Sequence, residues 1–237
     1  MIKFEVPLQL SRYILFHLCS FLLLTVTIIL CSPAWTVGDS RGEAGVWSQE
    51  TTLLSHTVGT LDIPGKRKVD VLAPDHRKIA NVNDFYLQVV VNGRPLSGTE
   101  NEGLETLAEL AWAPDSTAFF ITASNGGIVG TWYVSVYLIE KTRVRRVNVT
   151  QRAAKRFKMQ YSCHDPEEPN MAGVKWLEGS KTLLVVAEVP PHSSCPEMEK
   201  VRGYIVSVPN GEIEHELTRE ELKANWSQYL GPRINHE

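Results

Sequence analysis

The chain has 237 residues, 43% of them hydrophobic and 22% charged, with a formal net charge of −3. These are globular proportions with ample apolar material for a core. The negative balance argues against general nucleic-acid binding.

The N-terminus carries a targeting signal. Lys3 and Arg12 precede an apolar run from Tyr13 to Cys31, and Ser32-Pro33-Ala34 supplies small residues for cleavage after Ala34. Residues 1–34 read as a secretory signal peptide. The run 13–31 is also just long enough for an uncleaved membrane anchor with the same sidedness. Either way residues 35–237 are expected outside the cytoplasm, secreted or periplasmic, with a membrane tether in the anchored case.

Residues 35–65 suggest one or two strands, through Leu53, Leu54, Val58, Leu61 and Ile63. Residues 66–218 then run through one plan three times: strand, tight turn, buried strand, variable loop, strand, hairpin turn, strand. The turns are Ala73-Pro74-Asp75, Ala113-Pro114-Asp115 and Glu178-Gly179-Ser180. Proline pre-sets φ, and Asp or Ser bonds its own backbone there. Ala118 to Ala123 is apolar on both alternating faces, so it must lie between two other layers. Asn92-Gly93 and Asn210-Gly211 are hairpin signals. The adjacent Arg145-Arg146 breaks alternation and suggests a bulge. Thr218 with Glu221 forms a capping box for a helix in the last segment, 219–237, with Leu222, Trp226 and Tyr229 or Leu230 on one face.

Ala111-Trp112-Ala113-Pro114-Asp115-Ser116 resembles the W-S-P-D-G-like turn of TolB-like and related WD-type β-propellers. Leu72-Ala73-Pro74-Asp75-His76 lacks the aromatic, and Trp176-Leu177-Glu178-Gly179 keeps the Trp and the Gly. The resemblance implies an all-β fold, a propeller-like array of four-stranded antiparallel blades. Three units and a partial one at 46–66 leave an open arc, a four-bladed ring and closure by a partner all open.

Long connections at 97–106, 124–131, 150–172 and 188–202 fall on one side of such an array. Binding residues concentrate on loops held by a scaffold. Two of these loops hold Cys163 and Cys195. As the pair remaining outside the targeting segment they are expected to form a disulfide; zinc held by Cys163-His164 and His192-x-x-Cys195 is the alternative. The run Lys141, Arg143, Arg145, Arg146, Arg152, Lys155, Arg156, Lys158 has no acid after Glu140. It reads either as a polyanion or lipid-headgroup surface or as a solvated edge strand, with Glu212, Glu214, Glu216, Glu220 and Glu221 as an acidic counterpart. Arg152, Lys155, Arg156, Lys158 and His192 are the candidate binding residues.

No phosphate loop, metalloprotease helix or nucleophile elbow is present in the sequence. His56, His76, His164, His192 and His215 lack base–nucleophile spacing. No catalytic residue, metal or cofactor is assigned. The expected function is an extracytoplasmic binding module whose partner is a protein or an anionic envelope component. The alternatives are a subunit completing a propeller with another chain and a secreted hydrolase with loop-borne catalytic residues.

Overall fold

A computed structural model describes residues 44–54, 68–83, 86–100, 103–104, 107–126, 130–160 and 167–235. Residues 1–34, read above as a signal peptide or anchor, lie outside the described residues, as do Val58, Leu61, Ile63, Cys163 and His164. Among the described residues no helix is long and apolar enough to cross a membrane.

The protein is mostly β, in three antiparallel sheets. Sheet 1 holds β2 (Lys68–Leu72), β3 (Lys78–Asn83), β4 (Tyr86–Val91) and β5 (Arg94–Pro95). Sheet 2 holds β6 (Leu107–Trp112), β7 (Ala118–Ser124), β8 (Trp132–Ile139) and β9 (Val144–Val147), with the short β1 (Thr52–Leu53) added beside β6. Sheet 3 holds β10 (Asn170–Leu177), β11 (Thr182–Glu188), β12 (Val201–Ser207) and β13 (Ile213–Leu217). Consecutive strands pair throughout each sheet, as short turns between antiparallel neighbours require. Thr52 and Leu53 thus extend sheet 2, while residues 55–66 of the partial unit read from the sequence lie outside the described residues.

Local chemistry sets the turns. Asp75 accepts from the Arg77 amide and Asp115 from the Thr117 amide, each two residues on. His76 and Ser116 occupy the same left-handed position after the Pro-Asp pair. Asn92 and Gly93 both have positive φ, the I′ geometry their sequence favours. One expectation is corrected: Arg145 and Arg146 pair in regular register with Leu138 and Tyr137, so no bulge forms there; irregularities fall instead at Gly173/Lys175 and Ile205/Val206. Asn210-Gly211 joins the antiparallel pair β12 and β13 as its sequence suggests, with Gly211 at positive φ.

The sheets stack in chain order. Sheet 1 presents Ala80, Val82, Leu87 and Val89 to Trp112, Phe119 and Tyr137 of sheet 2, all in one buried cluster. Those three rings stand in series, with successive centroids 4.8 Å apart. The other face of sheet 2 meets sheet 3 in a second cluster that includes Phe120, Val136, Trp176, Leu183, Tyr204 and Val206. Gly173 is required there, since a Cβ would come within 2.6 Å of the Phe120 ring. β7 is buried along its whole length, as its two-sided apolar pattern demands.

One bond repeats between layers. The Trp112 indole N–H donates to the Val71 carbonyl of sheet 1, and the Trp176 indole N–H donates to the Ala111 carbonyl of sheet 2. The turns are tied the same way: the Asp75 amide donates to Ser116 Oγ, and Ser180 donates from its amide and hydroxyl to Asp115.

The far face of sheet 3 is closed by both ends of the described chain. Helix α2 (Arg219–Trp226), with the capping box of Thr218 and Glu221 formed, buries Leu222. Trp47, Leu230 and Ile234 join it over Ala172, Val174, Leu184 and Val186. The Gly231 amide donates to the Trp47 carbonyl and the Arg233 amide to that of Val46, fastening residues 46–47 to the C-terminal segment.

Candidate functional site

The crossover from sheet 2 to sheet 3 is not a plain loop. It contains helix α1 (Gln151–Lys158). The Asn148 side chain starts it, accepting from the amides of Thr150 and Gln151. Ala153 and Phe157 are fully buried in the cluster between sheets 2 and 3, with Val149 before them. Residues 149, 153 and 157 recur every four, which is the helical signal the charge run obscured.

Burial of that stripe divides the basic residues between two faces. On one, Arg152 lies 3.7 Å from Glu212 and Arg156 3.2 Å from Glu216, just before and on β13. Burial raises the Glu216 carboxyl, but bonds from Gln160 and Arg156 outweigh it and hold it below the ordinary value. On the other face, Lys155 and Lys158 line an open groove of about 570 Å³ with Asn148, Thr150, Gln151, Ala154, Met159 and Glu168. Lys158 is paired with Glu168 at 2.7 Å. Lys155 is exposed and has no ion-pair partner among the described residues. Met159 is 64% exposed. Earlier in the run, Arg143 and Arg145 share Glu140. Five of the eight basic residues of the run thus pair with a carboxylate of the chain, and in the groove the outward-facing remainder centres on Lys155.

His192 is exposed on the connection from β11 to β12 and is not part of the groove lining. That connection does approach the end of α1: Lys200 Nζ donates to the Gln160 carbonyl, and the Ser194 amide to Glu167. Cys195 is buried and disulfide-bonded, and every other cysteine of the sequence lies outside the described residues. Among the described residues no group of three or more His, Cys, Asp or Glu side chains is placed to hold a metal ion.

Three buried polar groups gave no local signal in the sequence. Glu188, on β11, takes a bidentate bond from Arg233, and Asn170 Nδ2 donates to it at 2.8 Å. The guanidinium also lies over the Trp47 ring at 4.6 Å. This pair borders a recess of about 150 Å³ with Glu199 and Arg219, but its inner charges already satisfy each other. Glu109, on β6, is wholly buried; Oε2 accepts from the amides of Val46 and Trp47, while Oε1 has no hydrogen-bond partner. Burial raises its pKa to about 8, against the opposing effect of those bonds and of Thr51. Tyr204 has a buried hydroxyl without a partner, and burial, then the nearby Glu216, raise its pKa.

No protein-family model, no curated protein and no solved structure matches the chain.

Proposed function

We propose that the chain is an extracytoplasmic, propeller-like binding module without catalysis of its own, and that the groove beside α1 is its contact for an anionic partner. The observation that carries this reading is Lys155. It stands without an ion-pair partner among the described residues, beside Lys158 and the exposed Met159, while the neighbouring arginines are committed to Glu212 and Glu216. An ammonium next to an apolar side chain suits a carboxylate-rich segment with an apolar residue. The helix is rigidly seated by Ala153 and Phe157, so the groove needs little ordering before it binds. The repeated tryptophan turn and the stacked four-stranded sheets support the propeller-like reading.

The test is titration of the full chain with a short Glu- and Leu-containing peptide at low salt. Lys155→Glu should weaken binding by about tenfold and flatten its salt dependence. Arg152→Glu, on the other side of the helix, should change it by less than about threefold. Equal binding by wild type and Lys155→Glu would exclude the groove.

A further inference from the structure

Residues 45–49 lie outside the strands, yet Trp47 is wholly buried and packs on Ala172, Val174, Leu184 and Val186 of sheet 3. The C-terminal segment holds this strap from one side. The Gly231 and Arg233 amides donate to the carbonyls of Trp47 and Val46, and the Gln49 amide donates to that of Tyr229. The sheets hold it from the other. Ser48 Oγ donates to the Val174 carbonyl, and Glu109 Oε2 accepts from the Val46 and Trp47 amides.

The strap seals Glu109. Gly45 is pressed against the carboxyl, for a Cβ there would overlap Glu109 Oε2 and Thr51 Oγ1. Oε1 is buried with no hydrogen-bond partner. The strand neighbours across the sheet are Leu53 and Thr122, neither of them charged. A neutral acid tolerates such a place, but a carboxylate held only by neutral donors loses far more hydration than it regains. Lifting the strap brings water to both oxygens.

We propose that residues 45–49 form a pH-sensitive latch, closed over sheet 3 while Glu109 is protonated and released when Glu109 ionises. Release uncovers Val174, Leu184 and Val186 and frees residues 229–233 from their partners in the strap. The sign follows from the two environments. Burial, against the opposing bonds from Trp47, Val46 and Thr51, raises the pKa of Glu109 to about 8 when the latch is closed. In water it returns to about 4.5. The latch is therefore tightest below about pH 4.5 and loosens about tenfold per pH unit up to about pH 8.

The charged groups on the elements packed here are Glu50, 3.3 Å from Lys175 of β10, and Arg233, 2.7 Å from Glu188 of β11. No charged side chain is among the causes that shift Glu109. His215 of β13 is exposed and pairs with Ile205, which packs on the same face. It is the titratable group that the test must separate from Glu109.

Hydrogen exchange of the full chain in detergent, corrected for the intrinsic pH dependence of each amide, reads the latch directly. The Val46, Trp47 and Gln49 amides should be less protected than those of Ile121 on β7 and Val185 on β11. Their protection should fall about 100-fold between about pH 5.5 and 7.5. Gly231 and Arg233, which donate to the strap, should follow. Glu109→Gln should keep the acid level of protection at every pH, and His215→Asn should keep the wild-type fall. Equal protection in strap and core would mean that residues 45–49 open only when the whole molecule unfolds, and overturns the proposal. So does a flat wild-type profile, a fall that persists in Glu109→Gln, or one that vanishes in His215→Asn. If Glu109→Gln is misfolded by circular dichroism, Glu109→Met takes its place with the same outcomes.

Discussion

At one end of the stack, sheet 3 is covered by Trp47 from one side of the described chain and by Leu222, Leu230 and Ile234 from the other. At the opposite end, Leu72 and Tyr86 of sheet 1 meet solvent. Both faces belong to the same kind of four-stranded meander, so strand pairing does not explain the difference. It lies in which non-repeating segments are available to cover a face. Residues 46–48 and 218–235 converge on sheet 3, where Trp47, Leu222, Leu230 and Ile234 cover its far face. The molecule is thus finished at one end by interactions that no repeat contains.

The largest effect should come from breaking that finished end. Arg233 closes it by bonding Glu188 and stacking on Trp47 and Trp132. Arg233→Met leaves the Glu188 carboxylate buried and uncompensated, and should cost about 3–5 kcal/mol in urea unfolding. Pairing it with Glu188→Gln should recover most of the loss, because the stranded charge goes too. At the bare end, Leu72→Glu should stay within about 0.5 kcal/mol, because Leu72 is already half exposed. Comparable losses at both ends would mean that the closure does not stabilise sheet 3 specially.

Glu109 sharpens the same contrast through pH. It sits beneath residues 46–47, and its pKa of about 8 lies well above the 4.5 of an unperturbed glutamate. Between those values the unfolded chain releases a proton that the folded chain keeps. Stability from this group is therefore full below about pH 4.5 and is lost progressively as pH rises toward 8. Glu109→Gln retains an acceptor for the two amides and removes the titration. It should gain up to about 3 kcal/mol at pH 7 and nothing near pH 4. A constant difference across that range would place the effect in packing rather than ionisation.

Much of the scaffold was legible because its determinants are local. Ala-Pro-Asp turns, Asn92-Gly93 and the alternation around Phe119 and Phe120 each decide their own few residues. Recurrence of Trp112 and Trp176 at one turn position pointed to repetition, though not to their indole bonds across layers. Helix α1 was hidden because eight basic residues drew attention away from Val149, Ala153 and Phe157. The division of Arg152 and Arg156 from Lys155 and Lys158 depends on that helix and on β13, some sixty residues later. Glu188 and Arg233 are 45 residues apart, and Glu109 meets its partners 62 and 63 residues back. Nothing in the spacing of such residues announces their contact.

The smallest effects concern the indole bonds between layers. Trp176→Phe keeps an aromatic ring but leaves the buried Ala111 carbonyl without its donor, at about 1–2 kcal/mol. Trp112→Phe should cost less, about 0.5–1 kcal/mol, because its bond to Val71 is only part-buried and water can replace the lost donor. Leu72→Trp places an indole at the third equivalent position, where no earlier sheet among the described residues offers a carbonyl; it should change stability by less than about 0.5 kcal/mol. The expected order, Trp176 above Trp112 above Leu72, follows the burial of the layer each residue faces. If Trp112→Phe and Trp176→Phe cost the same, the indoles contribute through ring packing, and the hydrogen bond between sheets carries little of the stacking energy.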